Sequence, residues 1–151
     1  MVPDVSTIHA SAVLVGPKAV LIRGSSGLGK SRLAWDLIGA AGPGLLPFAR
    51  LVGDDRVYLE RCRDRVLVRP AQALAGKIEI RGLGIRAIEF EPVAVVGLVV
   101  DLGAADAARH PVVGAGAAKI EGITVPRLAV AAGTEPLPLL LAALRIPPGD
   151  N

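Results

Sequence analysis

The sequence predicts an α/β fold, and three observations predict it. Of the 151 residues, 52% are hydrophobic, largely Ala, Val and Leu, which suits one domain whose sheet is buried on both sides. An apolar strand-like run, residues 19–22, leads into a glycine-rich loop that is followed by a helix-like run, residues 32–38. The most strongly β stretch, residues 93–101, lies well downstream of both.

The elements follow in order. Residues 12–15 and 18–23 are two short apolar runs joined by Gly16-Pro17, a hairpin signal. In the helix 32–38, Leu33, Leu37 and Ile38 share a face, and Trp35 is expected to pack. Residues 39–47 end the helix. A short strand, 50–53, then leads to Asp54-Asp55. Residues 56–60 and 65–69 read as paired strands around a turn at 61–64, and 70–76 is a connector. Residues 77–80 are strand-like and end in Arg81-Gly82-Leu83-Gly84. Residues 104–116 are small and turn-rich, 123–129 a further strand, 137–144 a short apolar helix, and 147–151 a tail. No internal repeat or linker divides the chain, so residues 1–151 are expected to form a single domain.

Composition narrows the partners. Aromatic residues make up only 3%, which argues against stacking platforms for single-stranded nucleic acid. A net charge of +3 suits anionic ligands without requiring nucleic acid. The basic cluster at 61–69 is interrupted by Asp64 and apolar residues and reads as an exposed hairpin. The single cysteine, Cys62, excludes an intrachain disulfide and fits a reducing cytoplasm; its place at a turn marks it as incidental. No apolar run is long enough to span a membrane, and no signal peptide is visible.

Gly24-Ser25-Ser26-Gly27-Leu28-Gly29-Lys30-Ser31 fits the phosphate-loop pattern G-x-x-x-x-G-K-[ST] without a mismatch, in the strand-to-helix context that the pattern needs. Its glycines let successive N–H groups turn inward toward phosphate oxygens, and the helix beginning near Lys30 adds its positive end. Lys30 should reach the β- and γ-phosphates of a nucleotide, and the Ser31 hydroxyl should ligate Mg²⁺. Ser25 and Ser26 read as small loop residues whose hydroxyls can touch phosphate. Asp54 and Asp55 are adjacent, so in an extended segment their side chains point opposite ways. One can act in chemistry while the other faces metal or a structural partner. The alternative for Asp55 is a turn cap or a pair with Arg56.

Together these residues resemble the catalytic domain of HPr kinase/phosphorylase, the bacterial enzyme acting on a serine of the phosphocarrier protein HPr. The matching pieces are Ile8-His9-Ala10-Ser11, the loop from Gly24 to Ser31, Leu51-Val52-Gly53-Asp54-Asp55-Arg56-Val57, and Ile78-Glu79-Ile80-Arg81-Gly82-Leu83-Gly84-Ile85. A weaker match is Gly122-Ile123-Thr124-Val125-Pro126-Arg127-Leu128. The resemblance spans roughly residues 7–144. It implies a compact P-loop kinase domain with a mixed β-sheet, of the HPr kinase/PEP carboxykinase-like kind.

The resemblance also implies roles. Asp54 would be the general base in transfer from ATP and the general acid in the reverse phosphorolysis, with His9 beside it to tune it. Lys30 and Ser31 would hold phosphate and Mg²⁺, and Glu79 would assist at the metal. Arg81, Gly82 and Gly84, with Asp55, would shape the site where protein substrate and phosphate meet. An HPr-like carrier would be the partner, and several copies of the chain would assemble. Taken without the resemblance, His9 would read as a surface or satisfied histidine.

The chain also departs from the family pattern. Met1 stands only a few residues before His9, which resembles short proteobacterial forms lacking an N-terminal domain. The family's mobile-loop arginine has one candidate in residues 104–118, Arg109, whose flanks match poorly. The late P-G-R segment is replaced by Ala131-Ala132-Gly133-Thr134-Glu135-Pro136. His110 has no assigned role. Two other readings stand beside the kinase: a small-molecule P-loop kinase, which the arginine-poor 104–118 stretch disfavours, and a nucleotide-binding regulator of a signalling partner.

Overall fold

The computed structural model describes residues 7–107 and 116–146. Two strands, β1 (Thr7–Val15) and β2 (Lys18–Arg23), form the expected hairpin, and α1 (Lys30–Gly39) follows the glycine loop. Then come β3 (Ala49–Gly53), β4 (Arg56–Cys62) and β5 (Arg65–Pro70). A small separate sheet pairs β6 (Lys77–Ile80) with β7 (Gly84–Ala87). The chain continues through β8 (Ala94–Leu102), β9 (Ala117–Ile120), β10 (Ile123–Val130) and α2 (Pro136–Arg145).

The larger sheet is mixed, as expected. Its strand order is β2-β1-β4-β5-β8-β10-β9, with β3 paired to β1 beside this path. The β2–β8 and β10–β8 pairs are parallel and the other pairings antiparallel. Because β8 pairs with both β5 and β2, the strands β2, β1, β4, β5 and β8 close into a ring.

Strand alternation divides the core in two. Ala10 and Ala12 of β1 and Ala19 and Leu21 of β2 turn into the ring, where Val57, Val66, Val68, Val96 and Val99 meet them. Val13, Val20 and Ile22 turn outward onto Leu33, Ala34 and Leu37 of α1 and Leu140 of α2. The sheet is therefore buried on both faces, but helices cover only one. The sheet's own closure covers the other, and small residues such as Ala10, Ala12 and Ala19 leave room for it.

Three expectations need correction. Strand β1 begins at Thr7 rather than at residue 12, because Thr7, Ile8 and His9 pair with Tyr58, Val57 and Arg56; that mixed-polarity stretch carries no apolar run. Strands β7 and β9 were not anticipated: all four residues of β7 are exposed, and β9 is only four residues long. Trp35 does not pack in the core and is 45% exposed, since it lies across α1 from the face formed by Leu33, Ala34 and Leu37.

Candidate active site

The glycine loop joins the end of β2 to the start of α1. Gly27 and Gly29 hold φ of 88° and 90°, where other residues are strained, and a Cβ at either would meet nothing within 4 Å. Conformation, not crowding, demands glycine there, and the space above the loop stays open. Gly29 caps α1 without any side-chain hydrogen bond, and no acidic residue occupies the first turn. The amides at this helix end are left for an external acceptor, the arrangement that favours an anion. Lys30 folds back over the loop: its Nζ donates to the carbonyls of Gly24 at 2.8 Å and Ser25 at 3.2 Å. Leu28 is half-exposed at the loop tip, beside Ser25 and Ser26, which are exposed.

Asp54 sits where β3 ends, facing this helix start, and is 3% exposed. Three donors from three elements meet its carboxylate. Ser31 Oγ lies 2.7 and 2.8 Å from the two oxygens, Ser11 Oγ of β1 donates to Oδ1 at 2.6 Å, and the Glu79 backbone N–H of β6 donates to Oδ2 at 3.0 Å. The Ser31 hydroxyl and the strand-end Asp54 carboxylate are thus in direct contact. Glu79 arrives through its main chain; its side chain is exposed. Among the described residues, no group of three or more His, Cys, Asp or Glu is arranged to hold a metal ion.

Asp55 turns the other way. Its φ is 69°, its side chain is 57% exposed, and its carbonyl accepts from the Ala10 N–H. Among the described residues His9 makes no hydrogen bond or ion pair with Asp54, the neighbour expected for it. Its Nδ1 lies 3.9 Å from Asp55 Oδ1, and its Nε2 is 2.8 Å from Arg56 Nη2. A guanidinium has no acceptor, so Nε2 accepts from Arg56 and the ring proton belongs on Nδ1, toward Asp55. Arg56 also donates to Thr7 Oγ1 at 3.1 Å, so it pairs with β1 rather than with Asp55. The β3–β4 bend separates the two aspartates physically: Asp54 goes inward to the loop, and Asp55 goes outward to His9.

Arg81, Gly82 and Leu83 form the turn of the β6–β7 hairpin and Gly84 begins β7, with φ of 90° at Gly82 and 82° at Gly84. Arg81 is exposed, Leu83 and Ile85 are 62% and 65% exposed, and Glu79, close to this turn and paired with Ile85, reaches Asp54 through its amide. Arg109 and His110 lie outside the described residues.

The sequence reading missed a charge network at the end of β2. Asp101 of β8 accepts from Arg23 Nε at 2.7 Å and Nη2 at 2.8 Å, and also from Arg127 Nε of β10. Arg127 donates in turn to both oxygens of Asp106, at 2.7 and 2.9 Å. Burial alone would push the Asp101 carboxyl up, but the hydrogen bonds and charges of Arg23 and Arg127 outweigh it and hold the group below the usual carboxylate range. The Arg127 hydrogen bond likewise lowers Asp106, and Asp106 and Asp101 hold Arg127 more firmly protonated. Arg23 immediately precedes Gly24, so the network fixes the strand from which the glycine loop springs. The signal for it was the parallel register, Arg23 opposite Asp101, which no local pattern reveals.

A family model described as the HPr Serine kinase C-terminal domain matches residues 2–92, more than half of the chain. The chain belongs to that family. The match contains His9, the glycine loop, Asp54 and the Glu79–Arg81 segment, and it ends before β8. An HPr kinase/phosphorylase of Geobacter sulfurreducens is 42% identical over 79 residues, covering 52% of this chain and 23% of that protein. One of Mycoplasma mycoides is 38% identical over 77 residues, 51% of this chain and 22% of that protein. The chain spans less than a quarter of the length of these relatives in the matched stretch. The Hpr(Ser) kinase/phosphatase structure from Coxiella burnetii superposes with a TM-score of 0.72 at 23% identity, covering 93% of this chain and 88% of that one. The HPr kinase fold therefore extends beyond residue 92, through the later strands and α2.

Proposed function

We propose that this HPr kinase family domain is a P-loop serine kinase that uses ATP and Mg²⁺ to phosphorylate an HPr-like phosphocarrier protein. The observation that carries the proposal is the buried Asp54 carboxylate in contact with Ser31, at a helix end whose amides have no side-chain cap. The donor set fits Mg²⁺, a hard cation usually held by one or two protein oxygens plus phosphate oxygens. Ser31 Oγ and the Asp54 carboxylate are oxygen donors in contact with each other, and Glu79 stands next to them in the chain fold. The bound cation would neutralise charge on the transferring phosphoryl group.

The chain's own groups supply the rest. The loop amides and the start of α1 bind phosphate oxygens, and Lys30 exchanges its two carbonyl partners for a phosphate. Asp54 takes the proton of the acceptor serine as the serine oxygen bonds to the γ-phosphorus and the bond to ADP breaks. In phosphorolysis it returns that proton to the serine oxygen. The enclosed position of Asp54 suits such a transfer, because water is largely shut out. His9 and Asp55, with Arg56 holding the ring, form an outer pair beside the same bend. The exposed hairpin carrying Arg81, Gly82 and Gly84 is the surface for the protein substrate. Arg109 is proposed as a further catalytic arginine on the resemblance alone. The proposal includes a single domain in the cytoplasm, working as an assembly of copies. Exposed apolar residues such as Leu139 and Ile146 of the α2 region support that assembly.

The test is incubation of the purified chain with labelled ATP, Mg²⁺ and the HPr-like protein of the same organism, followed by phosphoserine analysis. Transfer is expected, and it should vanish in Lys30→Ala and Asp54→Asn. ATP binding without transfer in the wild type would overturn the kinase reading in favour of a nucleotide-gated regulator.

A further inference from the structure

We infer that Ser11 is a positioning residue that holds Asp54 in the orientation needed for proton transfer. The inference rests on the kinase reading above and names a residue that the reading leaves without a role. Ser11 is fully buried on β1, between Ala10 and Ala12. Alternation along β1 places it on the same side as Val13, toward α1, where an alanine would satisfy packing equally well. A buried hydroxyl is costly unless it is hydrogen-bonded, and this one donates to Asp54 Oδ1 at 2.6 Å. That length is typical of a hydroxyl donating to a carboxylate, the stronger kind of hydrogen bond.

The division of donors gives the contact its meaning. Ser31 lies close to both carboxylate oxygens, but its hydroxyl is claimed by the proposed metal role. Two donors remain committed to Asp54 alone, one on each oxygen: Ser11 on Oδ1 and the Glu79 N–H on Oδ2. Two fixed points define the plane of a carboxylate. With Ser11 gone, Oδ1 loses its committed donor, and only the Glu79 N–H on Oδ2 and the shared Ser31 hydroxyl remain to resist rotation about χ2. The Glu79 donor is main chain, so Ser11 is the half of this grip that a substitution can remove. Among the described residues Ser11 makes no hydrogen bond to the glycine loop, so nucleotide binding should not depend on it.

The test compares wild type, Ser11→Ala and Ser11→Thr in transfer from Mg²⁺-ATP to the HPr-like carrier. Ser11→Ala should lower kcat by about tenfold to a hundredfold, the range for groups that orient a reacting ligand, with KM for ATP changed by less than about twofold. Ser11→Thr, which keeps the hydroxyl, should recover most of kcat. A second readout needs no turnover: the carboxyl carbon NMR signal of Asp54, assigned by its loss in Asp54→Asn, should move in Ser11→Ala and stay in Ser11→Thr. Unchanged kcat in Ser11→Ala, or an Asp54 signal that does not move, overturns the inference. Absence of transfer in the wild type sinks the kinase reading, and the NMR comparison then decides the role of Ser11 by itself.

Discussion

Replacing Asp101 with alanine tests the network that anchors the glycine loop. The substitution removes one acceptor from two arginines: the paired contacts of Arg23 at 2.7 and 2.8 Å, and the Arg127 Nε contact. Breaking a buried ion pair by deleting one partner costs about 3–5 kcal/mol, whereas an exposed pair is worth about 0–1 kcal/mol. The side chains of Asp101 and Arg127 are 16% and 14% exposed, which places this pair nearer the buried case. Two features reduce the loss: Arg127 keeps both contacts to Asp106, and Arg23, at 33% exposure, can turn to water. The expected destabilisation is about 2–3 kcal/mol, lowering Tm by about 4–12 °C in a domain of this size. Urea unfolding followed by circular dichroism measures it. The sign of the pH dependence follows from the depressed Asp101 carboxyl. Its contribution is complete above the unfolded value of about 4 and is lost as pH falls through the lower folded value. The gap between wild type and variant should therefore be constant from neutral pH down to about pH 4 and shrink below it. A loss under about 0.5 kcal/mol at pH 7, the range of ordinary surface substitutions, would refute the reasoning.

Other expectations concern packing. Leu33→Ala, at a buried position of α1 facing Val13 and Ile22, should cost about 3–5 kcal/mol in chemical denaturation, because the closed core beneath the helix cannot collapse into the gap. Gly53→Ala should cost about 1–3 kcal/mol, since its Cβ would lie 2.8 Å from Val57 Cγ1 and 3.1 Å from Pro70 Cα. Because Gly53 adjoins Asp54, the same variant should weaken transfer by more than its stability loss explains. Trp35→Ala should change stability by less than about 0.5 kcal/mol in thermal melts, as befits an exposed face of α1.

Much of the site was legible because its parts are local. The glycine loop, Lys30 and Ser31 fall within one eight-residue pattern, and Asp54 closes an adjacent short apolar run. Their meeting needed one step more than the strand–loop–helix pattern, the pairing of β3 with β1 that sets Asp54 beside the loop. What escaped was set by pairing between distant strands. His9 meets Arg56 because β1 and β4 are antiparallel with those two residues opposite each other, and Ser11 reaches Asp54 across a separation of 43 residues. The Arg23–Asp101 clamp depends on a parallel register across 78 residues. Strand β7 was hidden for another reason: a strand exposed along its whole length shows no alternation of apolar and polar residues.

The ring of strands also sets an order of events in the making of the protein. His9, Ser11, the glycine loop, Asp54 and Glu79 all precede β8 in the chain, yet β8 supplies the parallel neighbour of β2 and joins it to β5. During synthesis every proposed catalytic group except Arg109 emerges while β2 still has an open, apolar edge. Such an edge invites pairing with another chain. Closure waits for residues 94–102, a contact of long sequence separation and so a late one in folding. A truncation just before β8 would keep the residues proposed for catalysis other than Arg109 and lose the frame that brings them to working distance.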